Sequence, residues 1–520
     1  MMPLKGWPAR LLALVAGLAA GLAHPPFGFL PGLLGYALFL SLLNTSGPHP
    51  WRSAFFRGWL VGVGYFAVCV WWITEPFMVD AREQGWMAPI ALVLMAGGLA
   101  LFWGAAALAY RRLRARGVAG AVVFAGCLAG FEWLRGHVLT GLPWDLPGET
   151  WRAGSAPSQA AALVGAYGLS WITVAIASAP GATLARDGRR RWPAALAFTA
   201  GGLLALYGFG ALRLAHAVAP DPSAPVVRVV QANIDQKVKW RAENLEQIFQ
   251  TYIDLTVRPA MAPPRVVIWP EGALPVVIDD FLAPGSSYAT RLSDALAPGQ
   301  TLIMGANRAG PGPGGGLLYF NSLVALRRDR DTLRVSGVYD KHQLVPFGEY
   351  MPLGDLASKV GFRSLVHMPD DFTAGPPPRP LTPEGLPAFQ PLICYEALFP
   401  GFTRDAVRRA GRRPAWILNI SNDAWFGLAS GPWQHLNMAS YRALEEGLPI
   451  VRATPTGVSA VIDAYGRIVP GARIGLGGLG VIDAHLPVAL SPTPYQRHGE
   501  LYFATMIFLS LAAALAYRFP

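Results

Sequence analysis

The sequence predicts a chain in two parts: a multi-span α-helical membrane domain, and an α/β domain of packed layers. A last anchoring helix follows them. Three observations predict this. Only 14% of the 520 residues are charged and 52% are hydrophobic, whereas a soluble domain carries roughly 25% charged residues. Long apolar runs fill the first 216 residues. From about 217 to 497 the pattern changes to short β-rich runs between polar and Gly/Pro-rich loops.

The apolar runs cover 9–23, 27–44, 56–78, 88–110, 118–137, 159–180 and 193–216. Several approach the ~20 residues that cross a bilayer core. The first is short and the second contains Pro31. Lys5 and Arg10 ahead of the first run suit a signal peptide, but the runs that follow predict a retained helix. Basic residues gather in alternate loops: Lys5 and Arg10, then Arg52 and Arg57, then Arg111 to Arg116, then Arg186 to Arg191. That alternation predicts a cytoplasmic N-terminus and places residue 217 outside after seven crossings. It also accounts for the net charge of +11 without nucleic acid. An eighth run, 499–519, returns the chain to the cytoplasm. The domains expected are 1–216, 217–497 and 498–520.

Strands are expected at 226–234, 265–270, 301–308, 319–326, 334–340, 389–394, 415–421 and 457–464. Helices are expected at 241–257 and 434–447. Continuous apolar strands alternating with helices predict a sheet covered on its faces. The turn-rich stretches 310-GPGPGGG-316 and 375-GPPPRP-380 read as surface loops.

Three segments of this domain set reactive groups at strand ends, where a rigid scaffold presents chemistry. They are 267-VIWPEGALP-275 with Glu271, 338-VYDKHQLVPFGEYMP-352 with Lys341 and Glu349, and 391-PLICYEALFP-400 with Cys394. A thiolate is the attacking form of cysteine, and a nearby cation such as Lys341 lowers a thiol pKa. The same cation stabilises an oxyanion. A carboxylate with a raised pKa in a water-poor pocket, such as Glu271, suits a general base. The backbone N–H of Tyr395 is placed in sequence to donate to that oxyanion. Taken singly, each residue also has an ordinary reading: Cys394 as core filler, Glu271 as a loop carboxylate or helix cap, Lys341 as a surface lysine.

The three segments, in this order, resemble the nitrilase (carbon–nitrogen hydrolase) superfamily and its Glu-Lys-Cys triad. With seven spans before the domain and one after, nearly the whole chain resembles that superfamily's membrane-bound branch, the apolipoprotein N-acyltransferases. The closest pieces are 231-QANIDQKVKW-240, 269-WPEGALP-275, 339-YDKHQLVPFGEYMP-352, 393-ICYEALFP-400 and 419-NISNDAWFG-427. The resemblance implies a nitrilase-like αββα sandwich outside the cytoplasm. It implies Glu271 as base, Lys341 as oxyanion stabiliser and Cys394 as nucleophile. Glu349 then supports the lysine, Tyr395 and Glu396 follow the nucleophile, and Trp240 and Asn321 match further functional positions. Trp240 alone reads as an interfacial aromatic, and Asn321 as a turn residue. The implied reaction moves the sn-1 acyl chain of a phospholipid, typically phosphatidylethanolamine, through a thioester to the α-amine of an S-diacylglyceryl cysteine in an apolipoprotein. No cofactor enters it. The implied setting is a monomer in the bacterial inner membrane with its catalytic domain in the periplasm.

The apolar, Gly-punctuated segment 350–368 is expected either as packed covering or as a mobile arm that dips into the membrane interface. The stretch 425-WFGLASGPW-433 is a second interfacial candidate. The run 475-GLGGLG-480 reads as a turn, because no amphipathic helix follows it. The three cysteines lie far apart, and the nine histidines show no metal spacing. Glu132 and Arg135, in or near the fifth run, are functional candidates as intramembrane charges, with interfacial snorkelling of Arg135 as the alternative. Two other functions fit less of the chain: a membrane-anchored amidase using water, and a transporter with an outer binding domain. The spans show no inverted repeat to favour the transporter.

Overall fold

The computed structural model describes residues 6–45, 50–183, 192–330, 332–352 and 371–518. The segment 353–370, most of the proposed arm, lies outside the described residues. The chain forms two compact units. The first comprises 1–217, 429–447 and 491–520, and the second comprises 218–428 and 448–490.

The first unit is helical. Ala81–Leu113, Gly117–Arg135, Pro157–Thr183 and Trp192–Ala215 are long and apolar enough to cross a membrane. Pro50–Cys69 and Trp71–Met78 form a bent pair that would make a fifth span, broken by 49°. Trp7–Leu22, Leu30–Asn44 and Leu501–Tyr517 are shorter apolar helices at the places of the first, second and eighth expected runs. Small residues let these helices approach closely. A Cβ on Gly17 would strike the Val61 carbonyl, and one on Gly64 would strike that of Leu14, so Trp7–Leu22 and Pro50–Cys69 meet backbone to backbone. Arg135 does not snorkel. It is 2% exposed, pairs with Glu132 at 2.5 Å and donates to the Trp144 carbonyl at 3.0 Å. Trp103 donates to the other Glu132 oxygen at 2.7 Å, so the buried charges are matched.

The helix Gly431–Glu446 belongs to this unit although it lies between strands of the second in sequence. Its polar residues account for that. Arg442 lies 3.3 Å from Glu149 and 3.0 Å from Glu445. Glu445 accepts from the Ala166 N–H at 2.8 Å, and Asn437 both accepts from Ala153 N–H and donates to the Glu149 carbonyl, each at 2.8 Å.

The second unit carries the strands β1 (Val226–Gln231), β2 (Val266–Trp269), β3 (Thr301–Pro311), β4 (Leu317–Asp329), β5 (Thr332–Asp340), β6 (Phe389–Ile393), β7 (Trp416–Ile420), β8 (Ile450–Ala453), β9 (Ser459–Ile462), β10 (Ile468–Ile474) and β11 (Gly480–His485). They make a six-stranded sheet, β11-β1-β2-β3-β4-β5, and a five-stranded sheet, β10-β9-β8-β7-β6. Within each, three neighbouring strands are parallel and the others antiparallel. The period-two rule sorts the side chains. Val227, Val229, Val266, Ile268 and Ile303 of the first sheet pack with Phe389, Ile393, Leu418, Ile420 and Val451 of the second, forming the core between sheets. Val230, Val267, Trp269, Leu302 and Met304 face the other way, onto Ile248, Phe249, Tyr252 and Leu255 of the helix Leu245–Thr256. This is the layered nitrilase-like sandwich that the resemblance implies.

Three strands escape the sequence reading: β8, β10 and β11. β8 is only four residues long, and β11 directly follows the glycine-rich run read as a turn. That run is indeed a turn, pinned by Gln231, whose amide donates to the Gly475 and Gly478 carbonyls at 2.9 and 3.0 Å.

Candidate active site

β2 and β3 are parallel, and β4 and β5 each reverse direction, so β2 and β5 end at one edge of their sheet. Glu271 follows β2 by two residues and Lys341 follows β5 directly. Cys394 comes directly after β6 of the other sheet. The structure brings these three groups together in one buried polar cluster, at 7%, 1% and 9% exposure.

Lys341 Nζ donates to Glu349 at 2.9 Å and stands 3.7 Å from Glu271. Asn321 donates to both carboxylates at 2.7 Å, bridging Glu271 and Glu349. The second oxygen of Glu271 accepts from the Asn422 N–H at 2.5 Å. That of Glu349 accepts from Val345 N–H at 2.8 Å. Asn321 is thus a strand residue inside the cluster and not a turn residue.

Burial raises the pKa of Glu271, with the Glu349 charge adding to it and Lys341 opposing. For Lys341 burial works to lower the pKa, but the charges of Glu349 and then Glu271 outweigh it and raise the ammonium above its ordinary range. It stays a cation at neutral pH. Burial pushes the Cys394 thiol up to about 12, and Glu271 adds to the rise. Lys341 lowers it, as expected from the sequence, yet burial is the larger effect. Cys394 therefore rests as a thiol, so an attack by its sulfur would need a base, and Glu271 is a carboxylate in the same cluster with a raised pKa.

Cys394 has φ 47°. A non-glycine residue in this left-handed region costs about 1–3 kcal/mol, and such strain gathers at functional sites. The strain is held by Glu396, which is fully buried. One Glu396 oxygen accepts from the Ile393 N–H at 2.8 Å. The other accepts from the Tyr339 hydroxyl at 2.7 Å and the His342 N–H at 2.8 Å. Glu396 therefore ties the Cys394 turn to the loop that carries Lys341. Tyr395 is buried with its ring 5.0 Å from that of Phe399. Trp240 is half-buried, and the Lys239 ammonium sits 5.6 Å from its ring centre.

Sequence reasoning misses a second tier. After β7 comes 421-SND-423: Ser421 works to lower the Cys394 pKa, Asn422 holds Glu271, and Asp423 accepts from Ser421 at 2.7 Å. Arg452 on β8 pairs with both Asp423 oxygens at 2.7 and 2.8 Å, with neither residue exposed. The available signal was a polar triplet ending a wholly apolar strand, and an arginine inside another apolar run. Gln236 and Lys239 are missed as well.

The comparisons with known proteins agree across the chain. Residues 16–179 match the family model described as the apolipoprotein N-acyltransferase N-terminal domain, and 226–494 match that of carbon–nitrogen hydrolase. An apolipoprotein N-acyltransferase of Caulobacter vibrioides is 56% identical, over 97% of this chain and 94% of the relative. One of Rhodopseudomonas palustris is 37% identical over 99% and 96%, and one of Bradyrhizobium diazoefficiens is 36% identical over 99% and 96%. Apolar helices in one unit, a nitrilase-like sandwich in the other and full-length relatives of one kind lead to the same conclusion, that the chain belongs to the apolipoprotein N-acyltransferase family.

Proposed function

We propose that this membrane enzyme transfers the sn-1 acyl chain of a phospholipid, such as phosphatidylethanolamine, to the α-amine of an S-diacylglyceryl cysteine at the N-terminus of an apolipoprotein. The observation that carries the reading is a strained, buried cysteine beside one carboxylate base and one cation, in a chain rich in membrane-length helices. In the first half-reaction Glu271 takes the Cys394 proton and sulfur attacks the ester carbon. Lys341 balances the oxyanion, the carbon–oxygen bond breaks, and Glu271 returns the proton to the departing lysophospholipid. In the second, the acceptor's free amine attacks the thioester, the carbon–sulfur bond breaks, and the amine proton passes through Glu271 to sulfur. Two covalent steps at one sulfur give ping-pong kinetics. Glu349 and Asn321 position Lys341 and Glu271, and Glu396 positions the nucleophile. Tyr395 and Trp240 have supporting or substrate-binding roles in this reading. The alternating basic loops support a place in the bacterial inner membrane with the catalytic domain in the periplasm.

The test is acylation of the purified protein by phosphatidylethanolamine, read as an acyl mass on Cys394. The adduct should form, vanish in Cys394→Ala, and discharge onto a diacylglyceryl-cysteine peptide. Full transfer by Cys394→Ala would overturn the mechanism, and discharge by water alone would make the protein a hydrolase.

A further inference from the structure

A second lysine stands beside the triad without a counter-charge of its own. Lys239 ends the short helix Gln236–Lys239 after β1 and is 2% exposed. Among the described residues its ammonium has no hydrogen bond and no ion pair, its neighbours being the Trp240 ring and the more distant charge of Glu271. It points at the Glu271 loop: a Cβ on Gly272 would stand 3.2 Å from Nζ. Gly272 has φ +54° and no side chain, so the ammonium approaches its backbone closely. Burial brings Lys239 down to about 8, so at neutral pH it remains mostly a cation.

One turn earlier, Gln236 is 6% exposed and its Nε2 has no partner, while its Oε1 accepts from Asn422 Nδ2 at 3.4 Å. Asn422 in turn holds Glu271 through its N–H. An unpaired ammonium and an unpaired amide donor thus project from one helix face, three residues apart, beside the base. Buried donors of this kind are normally satisfied, and a buried cation calls for an anion. Among the described residues no ion pair supplies one, and a substrate anion would.

The geometry points to Lys239 and Gln236 as the binding site for the phosphodiester of the acyl donor. This rests on the phospholipid reading above. Of the two substrates in that reading, only the donor carries an anion one glycerol away from the ester under attack. A lysine binds such a group as a point charge, and the glutamine amide adds a directed hydrogen bond to a second oxygen. The site then selects phospholipids over neutral acyl esters before chemistry begins.

The experiment compares two donors on the full-length protein in detergent: phosphatidylethanolamine and a phosphate-free p-nitrophenyl acyl ester. The readout is kcat/KM for Cys394 acylation by each. In Lys239→Met the ratio of phospholipid to neutral ester should fall by roughly 10- to 100-fold, the size of a lost charge-assisted hydrogen bond. Gln236→Leu should lower it by a smaller factor, and Lys239→Arg should recover part of the loss. Thermal melting identifies any variant that is unfolded, and Lys239→Arg then carries the comparison. If Lys239→Met slows both donors equally, the lysine acts on Glu271 and the proposal is overturned. It is also overturned if the ratio is unchanged. If the wild-type protein takes an acyl chain from the neutral ester but never from phosphatidylethanolamine, the phospholipid reading itself has failed.

Discussion

In the proposed reaction Cys394 acts without being a resting thiolate. Burial pushes its thiol up to about 12, so at neutral pH nearly all of it is protonated and the proposed mechanism depends on its base. Glu271 is a base only when ionised, and its pKa is raised, chiefly by burial. The acylation rate should therefore fall as pH drops through that raised value, at a pH above the usual carboxylate range. Glu271→Gln should remove this limb and lower single-turnover acylation by roughly 10²- to 10⁴-fold, the usual worth of a positioned base. A limb that persists in Glu271→Gln would assign the proton to another group. The bridging Asn321 was visible in the sequence only through resemblance. Its two 2.7 Å bonds show why an amide is needed there: it donates to two carboxylates at once.

The turn 421-SND-423 is the element that connects the core to the chemistry. β7 is buried along its whole length and releases the chain directly beside Glu271. Arg452, from the neighbouring strand β8, clamps the turn through Asp423. Gly457 packs against it so closely that a Cβ there would lie 2.5 Å from Asp423. Arg452→Met should leave Asp423 buried without a cation, at a cost of about 3–5 kcal/mol. Denaturant unfolding of the purified protein measures that, and the surviving folded fraction should acylate more slowly because Asn422 no longer holds the base. An unchanged unfolding midpoint would show that the turn stands without the clamp. Apolar runs made β7 legible in advance. The buried pair was not legible, since its partners are 29 residues apart and nothing local links them.

At the scale of the molecule, the helix Gly431–Glu446 is the unexpected piece. Its sequence pattern predicts a helix, and the flanking strands place it by default in the α/β domain. Instead it belongs with the apolar helices, because Arg442 is matched by Glu149 and Glu445, and Tyr441 donates to the Gly148 and Trp151 carbonyls at 3.0 and 2.5 Å. Arg442→Met should leave two buried carboxylates without their cation and destabilise the first unit by about 3–5 kcal/mol. A fall in the melting temperature of the detergent-solubilised protein checks this; an unchanged melting temperature would mean that the carboxylates are held by their backbone donors alone.

The sequence by itself determined what depends on local periodicity and composition. Apolar runs of membrane length, most of the strands and the strand-end positions of Glu271, Lys341 and Cys394 all follow from residues near one another in the chain. Only the tertiary structure decided what depends on distant partners: that Arg135 is paired and buried, that Glu396 locks the Cys394 turn, that Asn422 reaches Glu271 while Arg452 clamps Asp423, and that one helix leaves its neighbours in sequence for the other unit. The physical reason is the same in each case. A buried charge or donor has to be satisfied, and the partner that satisfies it is chosen by the fold, not by its distance along the chain.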